Sequence, residues 1–403
     1  DILASSKDSS VLNYFVVSGK MGFVDARLTA LRLMQSGQIL ARIWGTALHG
    51  CGKFLARNLA VGRVAIPGAA RHALREIVGA IMTETRAEIR LPTTELRNDI
   101  PFFTQVLGMR MDLIYPADDP AVAVFSGHGV RIRVEKGATE PAGTLRILTE
   151  DPDQFAAGAR VLMAPNGTRV EIEPLNPPMV VPPTLHSFIV RRLKDQAPWI
   201  VGRAGMMYRD LVPDRLGGAL IASHIRIPDG GPVPDMVHYH QVGFQLIFCI
   251  SGWVDVVYED QGPPIRLTAG ACFIQPPQIR HRVLQASDGI EVIEIGVPAE
   301  HVTEIDHEMA LPTPYLRPER EWEGQRFVWN TPEGAEWRPF RTKGFVCRDT
   351  TIHANTKGVA SVLVVRPEGQ AGVWHWHKGD ILFTYVMAGR MMLEGEEREP
   401  FPL

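Results

Sequence analysis

The chain has 403 residues, 45% of them apolar and 22% charged, enough to build two to four packed domains. Its formal net charge of -3 gives no electrostatic footprint for nucleic acid or an anionic membrane, and no apolar run approaches the roughly 18 residues of a spanning helix. Four scattered cysteines, Cys51, Cys249, Cys272 and Cys347, form no Cys-x-x-Cys pair, which excludes a disulfide framework or zinc knuckle and makes a reducing cytoplasm the expected compartment.

Residues 1–81 carry ten Lys or Arg against four Asp or Glu, so this segment is +6 while the remainder is -9. Stretches 26–47 and 69–81 have helical patterning, yet Met82 heads the first well-patterned region. Two readings stay open, translated upstream sequence or a helical appendage. Under both, 1–81 is expected to be dispensable for fold and site.

A domain over 82–175 follows. Residues 87–91 alternate as a strand, and 95–107 have helical periodicity, with Ile100, Phe103 and Leu107 on one face and Gly108 as terminator. Strands over 110–115, 121–125 and 130–135 are separated by Pro, Asp and Gly. This βαβββ order resembles the glyoxalase, or vicinal oxygen chelate, superfamily. The resemblance implies metal-binding positions at Glu88 and Glu171, but neither carries the expected histidine, so a structural or dimerising role is expected for this domain, with the chain as a homodimer. His128, between Gly127 and Gly129, reads as a turn residue.

After a Pro-rich connection over 176–198, residues 199–310 carry the chemistry. His238 and His240 stand two apart on a predicted strand and aim both imidazoles to one face. Gln245 lies an odd number of residues beyond His240, so a turn or bulge must intervene before its amide can face the same point. His281 arrives on another strand, after Gly270 and the Pro276-Pro277 turn. Three neutral imidazoles and one weak oxygen donor suit a divalent first-row ion with positions left open. With Gly252 twelve residues after His240, the arrangement resembles both sequence motifs of the cupin family. The resemblance implies a jelly-roll barrel holding one metal ion through His238, His240, Gln245 and His281, with Gln where most members have Glu. Gln245 either binds through its carbonyl oxygen or bonds to a ligand imidazole or water. On the first reading, a Gln245→Glu change is expected to tighten metal binding.

Beyond a second connection over 311–344, residues 345–403 repeat the first motif as His375-Trp-His377, with Gly389 again twelve residues on. The offset of 137 residues between the copies is the mark of a tandem architecture. Leu382 occupies the position of Gln245, and no counterpart of His281 falls within the chain. A structural barrel, incomplete in this sequence and without metal, is therefore expected, with the flanking Trp residues in its core.

The expected fold is mainly β: tandem cupin jelly-roll barrels, the second truncated, preceded by an α+β glyoxalase-like domain. By fold analogy the resemblance implies a non-haem Fe(II) dioxygenase acting on a small aromatic, enol or diketone substrate, in a lumen lined by Tyr239, Phe248, Phe273 and Ile274. Zn, Mn or Ni are the other candidate ions. The competing classes are a Zn-dependent isomerase, cyclase or lyase and a non-catalytic small-molecule-binding barrel. No general base stands out.

Overall fold

The computed structural model describes residues 2–5, 13–19, 86–195, 198–369 and 374–403. The helical stretches expected at 26–47 and 69–81 lie outside the described residues, as does Cys51. The chain divides into two compact units, one of Leu28–Pro178 and one of Asp1–Arg27 with Met179–Leu403.

In the first of these units the expected βαβββ order is observed. Strand Ile89–Thr93 leads into helix Leu96–Pro101 and a continuing turn to Val106, then come Arg110–Tyr115, Val122–Gly127 and Val130–Lys136. Helix entry is fixed by Glu95, whose carboxylate accepts from the Arg97 amide at 3.3 Å. Exit falls at Gly108, whose φ of 65° suits a residue without Cβ. The first and last strands lie side by side in parallel, while the other pairs are antiparallel. A second sheet of Thr144–Thr149, Arg169–Pro174 and Val161–Met163 shares the core, in which Phe103 stacks on Phe125 at 5.0 Å. Glu88 and Glu171 fall on different parts of this unit, each against arginine: Glu88 meets Arg131 at 2.6 Å, and Glu171 meets Arg169 at 3.0 Å and Arg146 at 3.6 Å. His128 takes a turn conformation with φ 51°, its ring 2.7 Å from the Leu107 carbonyl.

The other unit is built from antiparallel sheets. One has seven strands in the order Ile200–Val201, Met207–Asp210, Ile221–Ile227, Ile290–Val297, Phe244–Ser251, Cys272–Ile274 and Val328–Asn330. The opposing sheet runs Ile265–Thr268, Trp253–Tyr258, His281–Ala286, His238–His240 and Thr303–Ile305, with Gly231–Pro232 added on His281–Ala286. Together they form a jelly-roll barrel.

The pleat decides which residues face the lumen. In Phe244–Ser251, the residues Phe244, Leu246 and Phe248 face out, into a cluster with Ile293, Ile295, Val362 and Val364. Gln245 and Ile247 point inward. Each fully buried large apolar side chain in the outer cluster contributes about 1.5–3 kcal/mol. That cluster joins the barrel to a second sheet, Trp337–Pro339, Phe345–Asp349, Ala360–Pro367, Asn13–Gly19 and Ile381–Ala388.

Two expectations are revised here. Residues 1–81 do not form an independent segment throughout, because Asn13–Gly19 lies between Ala360–Pro367 and Ile381–Ala388, paired antiparallel with both. Ile2–Ser5 likewise pairs with Met392–Gly395. Residues 311–344, expected as a connection, contribute Val328–Asn330 to the first barrel and Trp337–Pro339 to the second sheet. Arg320 further ties this stretch to the first barrel through buried Glu259 and Asp260, at 2.6 and 2.8 Å.

Candidate metal centre

His238 and His240 stand on the same face of their short strand, and His238 sits directly opposite His281 in the antiparallel register. Tyr239, between them, points the other way; its hydroxyl donates to Glu304 at 2.6 Å and the Arg280 guanidinium lies over its ring. Residues Gln241, Val242 and Gly243 interrupt the strand. The chain then crosses to the opposing sheet, which supplies the phase change Gln245 needs to face inward. The Pro276-Pro277 turn is pinned to the ligand strand, because the Gln278 amide donates to the His240 carbonyl at 3.0 Å, with Gln278 at φ 63°.

The three rings converge. Their centroids are 4.2 Å apart for His238 and His281 and 5.1 Å for each pair with His240, and one nitrogen from each lies within 4.8 Å of the others. All three residues are buried, and they are the only such group of potential ligands among the described residues.

The outer nitrogens are already engaged. His238 Nδ1 is 2.8 Å from the Met236 carbonyl and His281 Nδ1 is 3.0 Å from the Ile279 carbonyl, so both donate there and leave Nε2 with a lone pair. His240 Nδ1 meets the Thr303 hydroxyl at 2.9 Å. Burial holds the rings neutral: it pushes His240 down to about 2, with neighbouring His238 adding to the effect, and lowers His281 well below the usual range. His238 is lowered by burial first and by the Arg203 cation next.

Gln245 is buried, with Nε2 donating to Glu294 Oε1 at 2.5 Å and Oε1 left without a protein partner. A buried amide oxygen so orphaned is a free donor atom. Three neutral imidazoles and this oxygen fit a divalent cation. One competitor is present, since Arg203 Nη2 lies 3.0 Å from His238 Nε2 and claims the lone pair a metal would use.

The histidines lie on the wall of a cavity of about 390 Å³, lined mostly by aliphatic side chains such as Ile225, Ile247, Val256 and Val292. Of the expected lumen residues only Phe273 lines it; Phe248 and Ile274 occupy the opposite parity and pack in the outer cluster. Polar lumen residues that escaped the sequence reading include Arg203, Tyr208, Glu294 and His301. Burial, aided by the Glu294 charge, pushes the Tyr208 phenol up to about 12. Glu294 was findable, as the inward-phase carboxylate in the strand Ile290–Val297. Arg203, in a short turn beside Ala204 at φ 54°, carries no periodic signal.

The second copy differs at each point. His375 is half-buried, 3.3 Å from the Thr342 hydroxyl, and His377 is exposed; both precede the strand Ile381–Ala388. Leu382 packs against Phe345, Cys347, Val365 and Met391. Trp374 and Trp376, expected in the core, are 50% and 66% exposed.

No family model and no curated protein matches the chain. Among solved structures it is similar to KdgF from Halomonas sp., at 19% identity over 26% of this chain and 90% of that one, TM-score 0.22. It is similar to an RmlC-like cupin from Shewanella frigidimarina, at 23% identity over 29% and 96%, TM-score 0.24. A salicylate 1,2-dioxygenase from Pseudaminobacter salicylatoxidans matches at 19% identity over 27% of this chain and 32% of that one, TM-score 0.22. The two opposed antiparallel sheets around an enclosed histidine group, rather than these partial likenesses, define the architecture. The first barrel has the cupin fold.

Proposed function

We propose that the first barrel holds one divalent metal ion through His238, His240 and His281, with the Gln245 amide oxygen as a weak fourth donor, and acts as a non-haem Fe(II) dioxygenase on a small aromatic, enol or diketone substrate. The observation that carries this reading is the convergence of three neutral imidazoles on the wall of a mainly apolar cavity. Bound there, Fe(II) supplies redox chemistry toward O2 beside a substrate oxygen. The chain's residues do the rest. Thr303 and the Met236 and Ile279 carbonyls orient the rings. Tyr258 stacks on His281 and accepts from Gln275 at 3.0 Å, holding that ring from behind. The aliphatic wall grips the substrate body and keeps water out. The domain of residues 82–175 is read as a glyoxalase-like module that pairs the chain as a homodimer.

Glu294 favours a second reading. A carboxylate facing the lumen is a general base for moving a proton between carbons, so a Lewis-acid isomerase, cyclase or lyase carrying Zn, Mn or Ni fits the same walls. Metal analysis of protein produced with iron, followed by oxygen uptake with phenols, β-diketones and flavonols, separates the readings. One iron per chain and substrate-dependent uptake are expected. Conversion without uptake selects the proton-transfer reading, and protein that retains no metal refutes both.

A further inference from the structure

Arg203 is the only lysine or arginine among the described residues that line the cavity. Its side chain is 38% exposed, so it spans the border between lumen and solvent. One end of the guanidinium is anchored: Nη1 is paired with the carboxylate of Asp235, itself 2% exposed, whose second oxygen accepts the Val283 amide at 2.9 Å. The other end, Nη2, is aimed at the acceptor nitrogen of His238. A cation is thus fixed by a buried carboxylate against the face that the proposed metal ion would share. Two cations so close repel unless an anion joins them.

The charges at the site indicate what that anion is. A divalent ion, Arg203, Asp235 and the lumen-facing Glu294 leave a net of +1, which a single monoanion neutralises. With the ion on the His238 lone pair, the Nη2–H edge is free to donate to an oxygen placed between them. We infer that Arg203 receives the carboxylate of a small organic monoanion whose apolar body lies against Ile225, Ile227, Val254, Val256, Ile290 and Val292. The inference rests on the metal reading proposed above. It makes Arg203 the residue that selects charge, while the aliphatic wall selects size.

Calorimetric titration with benzoate and its neutral isostere benzamide tests this, on zinc-loaded and on chelator-treated protein, with metal content and thermal midpoint measured for every sample. The zinc-loaded wild type is expected to prefer benzoate by about tenfold or more. Replacing Arg203→Met together with Asp235→Asn, so that no buried carboxylate is left unpaired, should reduce the preference to within about twofold. Arg203→Lys, which keeps the charge and loses the fork, should fall between and serves if the double variant does not fold. Equal affinity for the two ligands in the wild type, or an undiminished benzoate preference in the variants, overturns the inference. Failure to take up zinc refutes the metal reading separately, and the chelator-treated titration then decides the role of Arg203 by itself.

Discussion

The two His-x-His motifs are nearly identical as text and differ as sites. His238 and His240 lie within a strand that faces the lumen, with His281 directly across the ladder and Gln245 arriving from the opposing sheet. His375 and His377 precede their strand, one half-buried and one exposed, and the position matching Gln245 holds a leucine packed into a core. The difference teaches that the motif contributes two donors at most. A site exists only where a second strand and a second sheet bring the others, around a common cavity.

The largest test of the comparison concerns the second sheet. Asn13–Gly19 pairs along its length with a strand on either side, so its removal leaves two long edges with unpaired amides and carbonyls. A variant lacking residues 1–19 is expected to lose most of its soluble yield, and any soluble fraction to unfold at a markedly lower midpoint. An unchanged midpoint would return 1–81 to the dispensable segment the sequence suggests. Next in size is the metal itself. His240→Ala and His281→Ala are expected to abolish stoichiometric metal, whereas His377→Ala leaves it nearly intact with an unchanged thermal midpoint. Loss of metal in His377→Ala, measured by elemental analysis, would invert the assignment of the two sites.

The centre of the first barrel was legible in the sequence because strand geometry is strict. A period of two places His238 and His240 together, and an odd offset demands the break that Gln241–Gly243 supplies. The same rule, applied with the wrong phase, misplaced Phe248 and Ile274, and left Glu294 unnoticed on an inward position. Arg203 was out of reach, since a turn with left-handed backbone has no periodicity to read. The N-terminal strand was missed for a different reason. Tyr14-Phe-Val-Val17 is a short apolar run of the kind a buried strand shows, but its partners stand at 360–367 and 381–388, and nothing local names them.

The smallest effect sharpens the role of Gln245, and here the structure changes the expectation. A glutamate at 245 would add a charged donor, which by itself tightens metal binding. Gln245 Nε2, however, donates to Glu294 at 2.5 Å, so a second carboxylate there would face the first at hydrogen-bond distance in a buried wall. Such a pair cannot hold both charges without cost, and one member takes up a proton. Gln245→Glu alone is therefore expected to lower stability by about 1–3 kcal/mol and to leave metal affinity near its starting value. Exchanging both residues, Gln245→Glu with Glu294→Gln, restores the hydrogen bond with its polarity reversed and moves the carboxylate to the strand that carries the orphaned oxygen. The exchange should recover stability and tighten metal, while Gln245→Ala weakens it by about 10 to 100-fold, as for groups that support rather than create a site. Metal competition titrations and thermal unfolding on the three variants measure both quantities. If Gln245→Glu and the exchanged pair bind metal equally, the oxygen at 245 does not reach the ion, and Gln245 serves only to brace Glu294.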